Sequence, residues 1–313
     1  MFKNTLDNKR YYTLNCYYKN KYHKKVFKVS LNAGFTCPNK DGKVSTGGCI
    51  FCSNTGSGDF AGDKNLDLIT QFNTVKDMML KKWPDALYVG YFQANTNTYA
   101  SVQELKEKYE TVLNIPNVVG LNIATRSDSI SDSVMEYLIE LNKKCDLVIE
   151  LGLQSMHDET LKLINRGHDL KNFDECVKKL KSNNIKVVVH IINGLPNETK
   201  EMMIETAEYL NDLGIDGIKI HMLHIIENTK LAEMYKKSPF HVLTKEEYID
   251  IVISQLEVLN EDIVINRITG DPVKEDLIAP TWLLKKFCVL NDIDKEMVKR
   301  DTYQGKNAKN SRD

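Results

Sequence analysis

The sequence predicts an α/β fold: a partial (β/α)6 barrel with a helical C-terminal extension. Three observations carry this. Apolar, β-rich runs alternate with helical patterns through six units. Four of the strand candidates have one aliphatic face and one face of small and polar residues. Those polar residues gather towards the strands' C-terminal ends. Alternation implies parallel strands with crossover helices. A sheet covered on both faces would read as near-continuous apolar runs. Mixed faces fit a curved sheet instead, greasy outside and polar around a cavity, with the site at the C-terminal ends of the strands. An open sheet with one solvated face is the alternative.

The elements follow in chain order. Residues 1–28 hold eight Lys/Arg, a single acid (Asp7) and five tyrosines, and residues 1–25 read as a basic, tyrosine-rich arm. The strand candidates of the barrel segment, 26–235, are 26–34, 85–93, 118–126, 146–154, 185–194 and 216–226. Helix candidates lie at 66–82, 101–113, 131–143, 158–181 and 198–213. In 131–143, Val134, Tyr137, Leu138 and Leu141 make one buried stripe. In "DLVIELGLQS", Leu147, Ile149, Leu151 and Leu153 share one face, and Glu150 and Gln154 share the other. By the same alternation Asn122 and Arg126, Lys219 and His221, and Lys28 and Ser30 point inward. The extension, 236–313, opens with a clear helix, "LTKEEYIDIVISQLEVL". It then runs through "EDIVINRITGDP" to a helical end and a polar tail, disordered at its tip.

Composition sets bounds. With 42 Lys+Arg against 43 Asp+Glu there is no global pull towards nucleic acid, so any such signal is local. No apolar run approaches the roughly 20 residues of a membrane span, and no signal-peptide core is present. A cytoplasmic protein is expected. Of seven cysteines, Cys16, Cys145, Cys176 and Cys288 stand alone and are expected to be buried small hydrophobes.

The other three cluster in "CPNKDGKVSTGGCIFC" (37–52), on the loop after the first strand candidate. Gly42, Gly47 and Gly48 let this loop turn, and Phe51 is placed to cover the site. Cys37, Cys49 and Cys52 admit several readings. Zinc accepts three Cys and a distant His. A redox pair "CIFC" wants a helix N-terminus, and no amphipathic helix starts before about residue 66. Three thiolates also hold three irons of a four-iron cluster and leave the fourth open.

These motifs, with "ATRSD" (124–128), "ELGLQS" (150–155), "NRGH" (165–168) and "GLPNET" (194–199), resemble the radical SAM enzymes. The resemblance is to the branch of the Elongator catalytic subunit and oxygen-independent coproporphyrinogen oxidase. More narrowly, the chain is similar to the bacterial YhcC/YtqA-type proteins over nearly its whole length. The gap of eleven residues between the first two cysteines, against the usual three, fits the Elongator-like branch.

The resemblance implies a [4Fe-4S] cluster on Cys37, Cys49 and Cys52. It also implies S-adenosylmethionine on the open iron, cleaved by one electron to a 5′-deoxyadenosyl radical. Arg166 would pair with the methionine carboxylate, or else cap a helix end. Gln154 would bond the ribose. Arg126 and Glu150 would hold each other or the cofactor. Gln93 and Asn95 stand where the superfamily has Gly-Gly-Glu. His190, Lys219 and His221 face substrate or serve the core. The family association points to tRNA as partner, with a one-electron donor, and to conversion of carboxymethylaminomethyl-uridine to aminomethyl-uridine at the wobble position. Stacking on the tyrosines of the arm and phosphate contacts from its lysines and from "KKF" (285–287) would support RNA binding. Two alternatives stay open: a radical SAM oxidoreductase for a small metabolite or porphyrin-like substrate, and a non-catalytic zinc-binding RNA adaptor.

Overall fold

A computed structural model describes all residues except 1, 3, 7, 8, 54, 57 and 310–313. The expected N-terminal arm and disordered tail tip fall partly or wholly on residues outside the described set. The first half of the chain forms α1 (Leu14–Tyr22), β1 (Val26–Leu31), α2 (Leu68–Leu80), β2 (Leu87–Phe92), α3 (Val102–Leu113), β3 (Val118–Thr125), α4 (Asp132–Asn142) and β4 (Asp146–Gln154). The second half forms α5 (Asp158–Leu163), α6 (Leu170–Ser182), β5 (Lys186–Asn193), α7 (Lys200–Asp212), β6 (Gly217–Met222), β7 (Ile225–Ile226), α8 (Lys230–Lys237), α9 (Lys245–Val258), β8 (Val264–Arg267), β9 (Leu277–Ala279) and α10 (Lys286–Lys299).

The main sheet runs β1-β2-β3-β4-β5-β6-β8 with every pair parallel, and β7 and β9 form a small antiparallel ribbon. The sheet is curled. Lys28 on β1 reaches Glu150 on β4 at 2.8 Å. A flat sheet would hold strands three places apart about 14 Å from each other. Leu147, Ile149, Leu151 and Leu153 are fully buried on the outer face, as are or nearly are Val134, Tyr137, Leu138 and Leu141 of α4 beneath them. Side-chain caps start the helices, including Ser101, Ser131, Asp169 and Thr199, and Thr244 opens α9 with a capping box.

Three expectations need correction. The barrel has a seventh strand, because Val264–Arg267 of the extension pairs with β6. The long helix 158–181 is two helices, α5 and α6. The chain breaks at Asn165 and Gly167, whose positive φ values (53° and 81°) are incompatible with a continuous helix. Cys288 is exposed and Cys145 only half-buried, while Cys16 and Cys176 are buried as expected.

The first and last segments meet at the N-terminal ends of the strands. Thr13 bridges Ile265 of β8. Gln304 is buried and ties the two together: its backbone N–H donates to Arg10 O (2.9 Å), its Oε1 accepts from Tyr12 N (2.8 Å), and its Nε2 donates to Asn260 O (2.7 Å). Tyr22 donates to Asp146 and Tyr17 accepts from Lys186, so α1 sits on the starts of β4 and β5. Among the described residues no helix is long and apolar enough to cross a membrane.

Candidate active site

The C-terminal ends of the strands surround a cavity of about 470 Å³, and Cys37, Cys49 and Cys52 all line it. The loop that carries them is held by a second loop, 164–168, between α5 and α6. Ile50 N donates to Ile164 O (3.0 Å), Asn165 Nδ2 to Gly48 O (2.7 Å), and Asn39 Nδ2 to Asn165 O (2.7 Å). Asn39 is fully buried, and its Nδ2 also points at Cys49 Sγ (3.6 Å). Gly167 is obligatory here: a Cβ on it would stand 2.6 Å from Asn39 Oδ1, at φ +81°. Lys40 braces the cysteine loop. It donates to Ser53 O (2.8 Å), and its stem lies over Gly48.

Arg166 is buried between the sheet and this loop. Its Nε donates to Gly152 O (3.1 Å) and its Nη1 points at Cys49 Sγ (3.8 Å). Gly152 leaves a notch that two of the expected residues fill. A Cβ there would meet Gln154 Nε2 at 2.7 Å and Arg166 Nη2 at 2.9 Å. Gln154 itself is held at φ +80°, in a register shift of β4 against β5. Strain of this kind gathers at functional sites. Gln93, Asn95, Gln154 and Arg166 all line the cavity with the cysteines.

Arg126 and Glu150 do not hold each other. Arg126 forks onto Asp128, two residues along, with Nε–Oδ1 2.8 Å and Nη2–Oδ2 2.6 Å. Its Nη1 is buried without a partner. Glu150 is 1% exposed and gathers inward groups from four strands. Oε1 accepts from Lys28 (2.8 Å) and Asn122 (2.6 Å), and Oε2 from His190 (2.8 Å) and Lys219. Every oxygen is thus taken by protein. Burial alone would raise its pKa, yet Lys219, Lys28 and His190 hold it well below the usual carboxylate range.

The same burial acts on the partners. It pushes the Lys219 ammonium down to about 8 and His190 to about 4, with Lys219 adding to the latter. His221, 5.5 Å from the His190 ring, is also held well below its ordinary value by burial. Lys219 further donates to Tyr91 (2.9 Å) and sits over its ring.

These residues fit an iron–sulfur cluster better than a single metal ion. Among the described residues, no three His, Cys, Asp or Glu side chains converge to hold one ion. A four-iron cluster spreads its thiolates wider. N–H groups and positive charge beside the sulfurs are what such a cluster uses. Burial pushes the Cys52 thiol up to about 11, so its deprotonation awaits metal. Asn39 was not singled out from the sequence. Its one signal was its place between Cys37 and the glycine turn.

Comparison with known proteins agrees with this geometry. The family model described as Radical SAM superfamily matches residues 41–210, and the Radical_SAM C-terminal domain matches 215–299. The uncharacterized protein YtqA of Bacillus subtilis is 49% identical, over 95% of this chain and 92% of that protein. A tRNA uridine(34) acetyltransferase of Methanocaldococcus infernus is 29% identical over 63% of this chain, which spans only 35% of that protein. The solved Elp3 of the same archaeon, lacking residues 1–46, has a TM-score of 0.69 at 20% identity. That match covers 90% of this chain and 64% of the Elp3 chain.

Proposed function

This chain belongs to the radical SAM superfamily, and on that premise we propose that it remodels the side chain of a wobble uridine in tRNA. The superfamily's [4Fe-4S] cluster and S-adenosylmethionine, when bound, supply one-electron chemistry at carbon centres that acid–base groups cannot activate. In this reading Cys37, Cys49 and Cys52 hold the cluster. Arg166, fixed by Gly152 O, offers its guanidinium to the methionine carboxylate. Gln154 faces the ribose, Gln93 faces the amino group of the methionine part, and Arg126 Nη1 is a buried donor still seeking an acceptor. The inward wall excludes water and positions substrate. A one-electron donor supplies the electron.

The observation that carries the substrate reading is the charge of the cavity and its rim. Lys28, Lys40, Arg126, Arg166, Lys219 and Arg267 line the cavity against Asp59, Glu150 and Asp271, with Asp128 paired to Arg126 behind the wall. At the rim, Lys286 binds Asp271 (2.6 Å), and beside it the Phe287 ring is 71% exposed. Lysines neutralise phosphates, and an exposed ring stacks on an unpaired base. The wobble base lies in a single-stranded loop, so its entry costs little unpairing. The tyrosines of α1 are engaged at the other end of the barrel. RNA contact is therefore assigned to the rim rather than to the arm. The likeness to the tRNA uridine(34) acetyltransferase supports the same substrate class.

The specific reaction proposed is carboxymethylaminomethyl-uridine plus water to aminomethyl-uridine plus glyoxylate. It is a two-electron oxidation at the carboxymethyl carbon, in which the bound cofactors would take up one hydrogen atom and one electron and water would cleave the resulting imine. The test is anaerobic reconstitution with tRNA, dithionite and S-adenosylmethionine, followed by nucleoside mass spectrometry. tRNA-dependent release of 5′-deoxyadenosine with appearance of the aminomethyl nucleoside supports the reading. Equal release with and without tRNA, and unchanged nucleosides, would sink it.

A further inference from the structure

The inner wall of the cavity holds more positive charge than its carboxylates neutralise. Lys219 on β6 has His190 of β5 as cross-strand partner on one side and Arg267 of β8 on the other. Lys28 and Lys219 share the single carboxylate of Glu150. Arg267 and Lys286 share Asp271. The Lys28 and Lys219 side chains are only 16% and 9% exposed. A surplus cation is cheap in water but costly in a protein wall, unless an anion comes to it.

A two-to-one arrangement also occurs at the far end of the lumen, where Lys21 and Lys186 share Asp146. There both lysines are about a third exposed, at 32% and 35%. Asp216, Glu261 and Asp262 also line that space. In the upper wall Lys28 and Lys219 have neither remedy, whereas Arg267 and Lys286 are about a third exposed, at 34% and 36%. The histidines of this wall add no charge, since burial keeps them neutral. His224, lining the same cavity, has a buried Nε2 without a hydrogen-bond partner.

We propose that Lys28, Lys219 and Arg267 form a subsite for an anionic substituent of the substrate, a carboxylate on a short flexible arm. Guanidinium and ammonium groups make strong charge-assisted bonds to carboxylate. Lys28 and Lys219 lie in the strand interiors and Arg267 at the end of β8, so the subsite meets the entering base's substituent, while backbone phosphates stay at the rim. This deepens the wobble-uridine reading and rests on it. The carboxymethyl group is the anionic part that distinguishes the proposed substrate from its product. The product keeps an ammonium and has lost its carboxylate, so the same wall repels it and favours release.

The test uses the reconstituted full chain and two anticodon stem-loop RNAs, identical except for carboxymethylaminomethyl or aminomethyl at the wobble uridine. Dissociation constants are measured by fluorescence anisotropy. Wild type should prefer the carboxylate-bearing RNA by about tenfold, and Lys219→Met and Arg267→Gln should bring that ratio to about one. If the variants keep the wild-type preference, the subsite is wrong and the wobble-uridine reading stands. If wild type binds both RNAs equally, the subsite is likewise wrong. If it binds neither, the wobble-uridine reading fails and acetate judges the subsite alone. Acetate should raise the Tm of wild type over chloride at equal ionic strength, and should not do so for Lys219→Met. Equal gains in both proteins overturn the subsite. Lys219→Met leaves Glu150 with Lys28, Asn122 and His190, so the variant should fold. A large drop in its Tm with an unchanged RNA ratio would mark Lys219 as structural only and refute the proposal.

Discussion

The lumen of the half-barrel ends in two spaces lined by the same strands and by side chains of opposite sign. At the lower end Asp146, Asp216, Glu261, Asp262 and Lys186 line about 820 Å³, with Lys21 and Lys181 reaching Asp146 and Asp216 from beside it. At the upper end six cations stand against three carboxylates around about 470 Å³. Leu14 and Asn266 line both. The lower space is the larger, yet its polar groups largely satisfy one another: Lys181 with Asp216, Tyr22 with Asp146, Asn211 with the N–H of Asn260. The upper one keeps a donor without acceptor at Arg126, a non-glycine residue at positive φ in Gln154, and cations in excess. Cavity size therefore does not locate the chemistry. Unsatisfied and strained groups do.

The largest effect that could break this contrast is loss of a cluster ligand. Cys49→Ser should remove the iron–sulfur absorbance of the reconstituted protein and all S-adenosylmethionine cleavage. A variant at the lower end, such as Tyr22→Phe, should leave both intact. An iron content of Cys49→Ser equal to wild type would remove that cysteine from the site.

Two glycines sharpen the comparison. Gly167→Ala places a methyl against the fully buried Asn39 and at φ +81°, so a cost of about 2–4 kcal/mol is expected. Gly214, in the lower space, has φ +74° but nothing within 4 Å of its Cβ position. Gly214→Ala should cost only about 1 kcal/mol of backbone strain. Urea unfolding of the two variants decides, and equal losses would mean that the cysteine loop is not locked by loop 164–168.

The ends should also part in their response to acid. His190 and His224 titrate near 4 in the folded protein, both because of burial, against about 6.5 when unfolded. Between those values the unfolded chain binds more protons, so stability falls as pH drops through that window, by up to roughly 3 kcal/mol for each histidine. At the lower end burial of Asp146 is outweighed by Lys186 and Lys21, which hold it below 3.8. Its contribution is lost only at lower pH. The Tm of His190→Gln should therefore fall less than that of wild type between pH 6.5 and 4, and parallel curves would contradict the assignment. The smallest expected effect is Tyr22→Phe itself, which removes one hydrogen bond to Asp146 and should cost about 1 kcal/mol.

Much of this was legible in the sequence, for physical reasons. Period-two alternation put Glu150, Gln154, His190 and Lys219 on one inward face, and the sheet bears this out residue by residue. The cysteine spacing and the 165–168 segment carried the resemblance that family membership confirms. Other features depended on contacts no pattern encodes. Val264–Arg267 is too short to announce itself as a strand, and it joins the sheet by pairing with β6. Arg126 found Asp128 nearby in sequence rather than Glu150 across the strand, because Lys28 and Lys219 had already filled Glu150. The arm read as a basic, tyrosine-rich surface for RNA, yet its tyrosines are the groups that seat α1 on the starts of β4 and β5.

The central claim is that the cationic upper cavity acts on a wobble uridine. Its most direct test is nucleoside mass spectrometry of tRNA from the source organism with this gene deleted. The deletion should cause accumulation of carboxymethylaminomethyl-uridine and loss of aminomethyl-uridine and whatever derives from it, restored by the wild-type gene and not by Cys49→Ser. A nucleoside profile identical to that of the parent strain would contradict it.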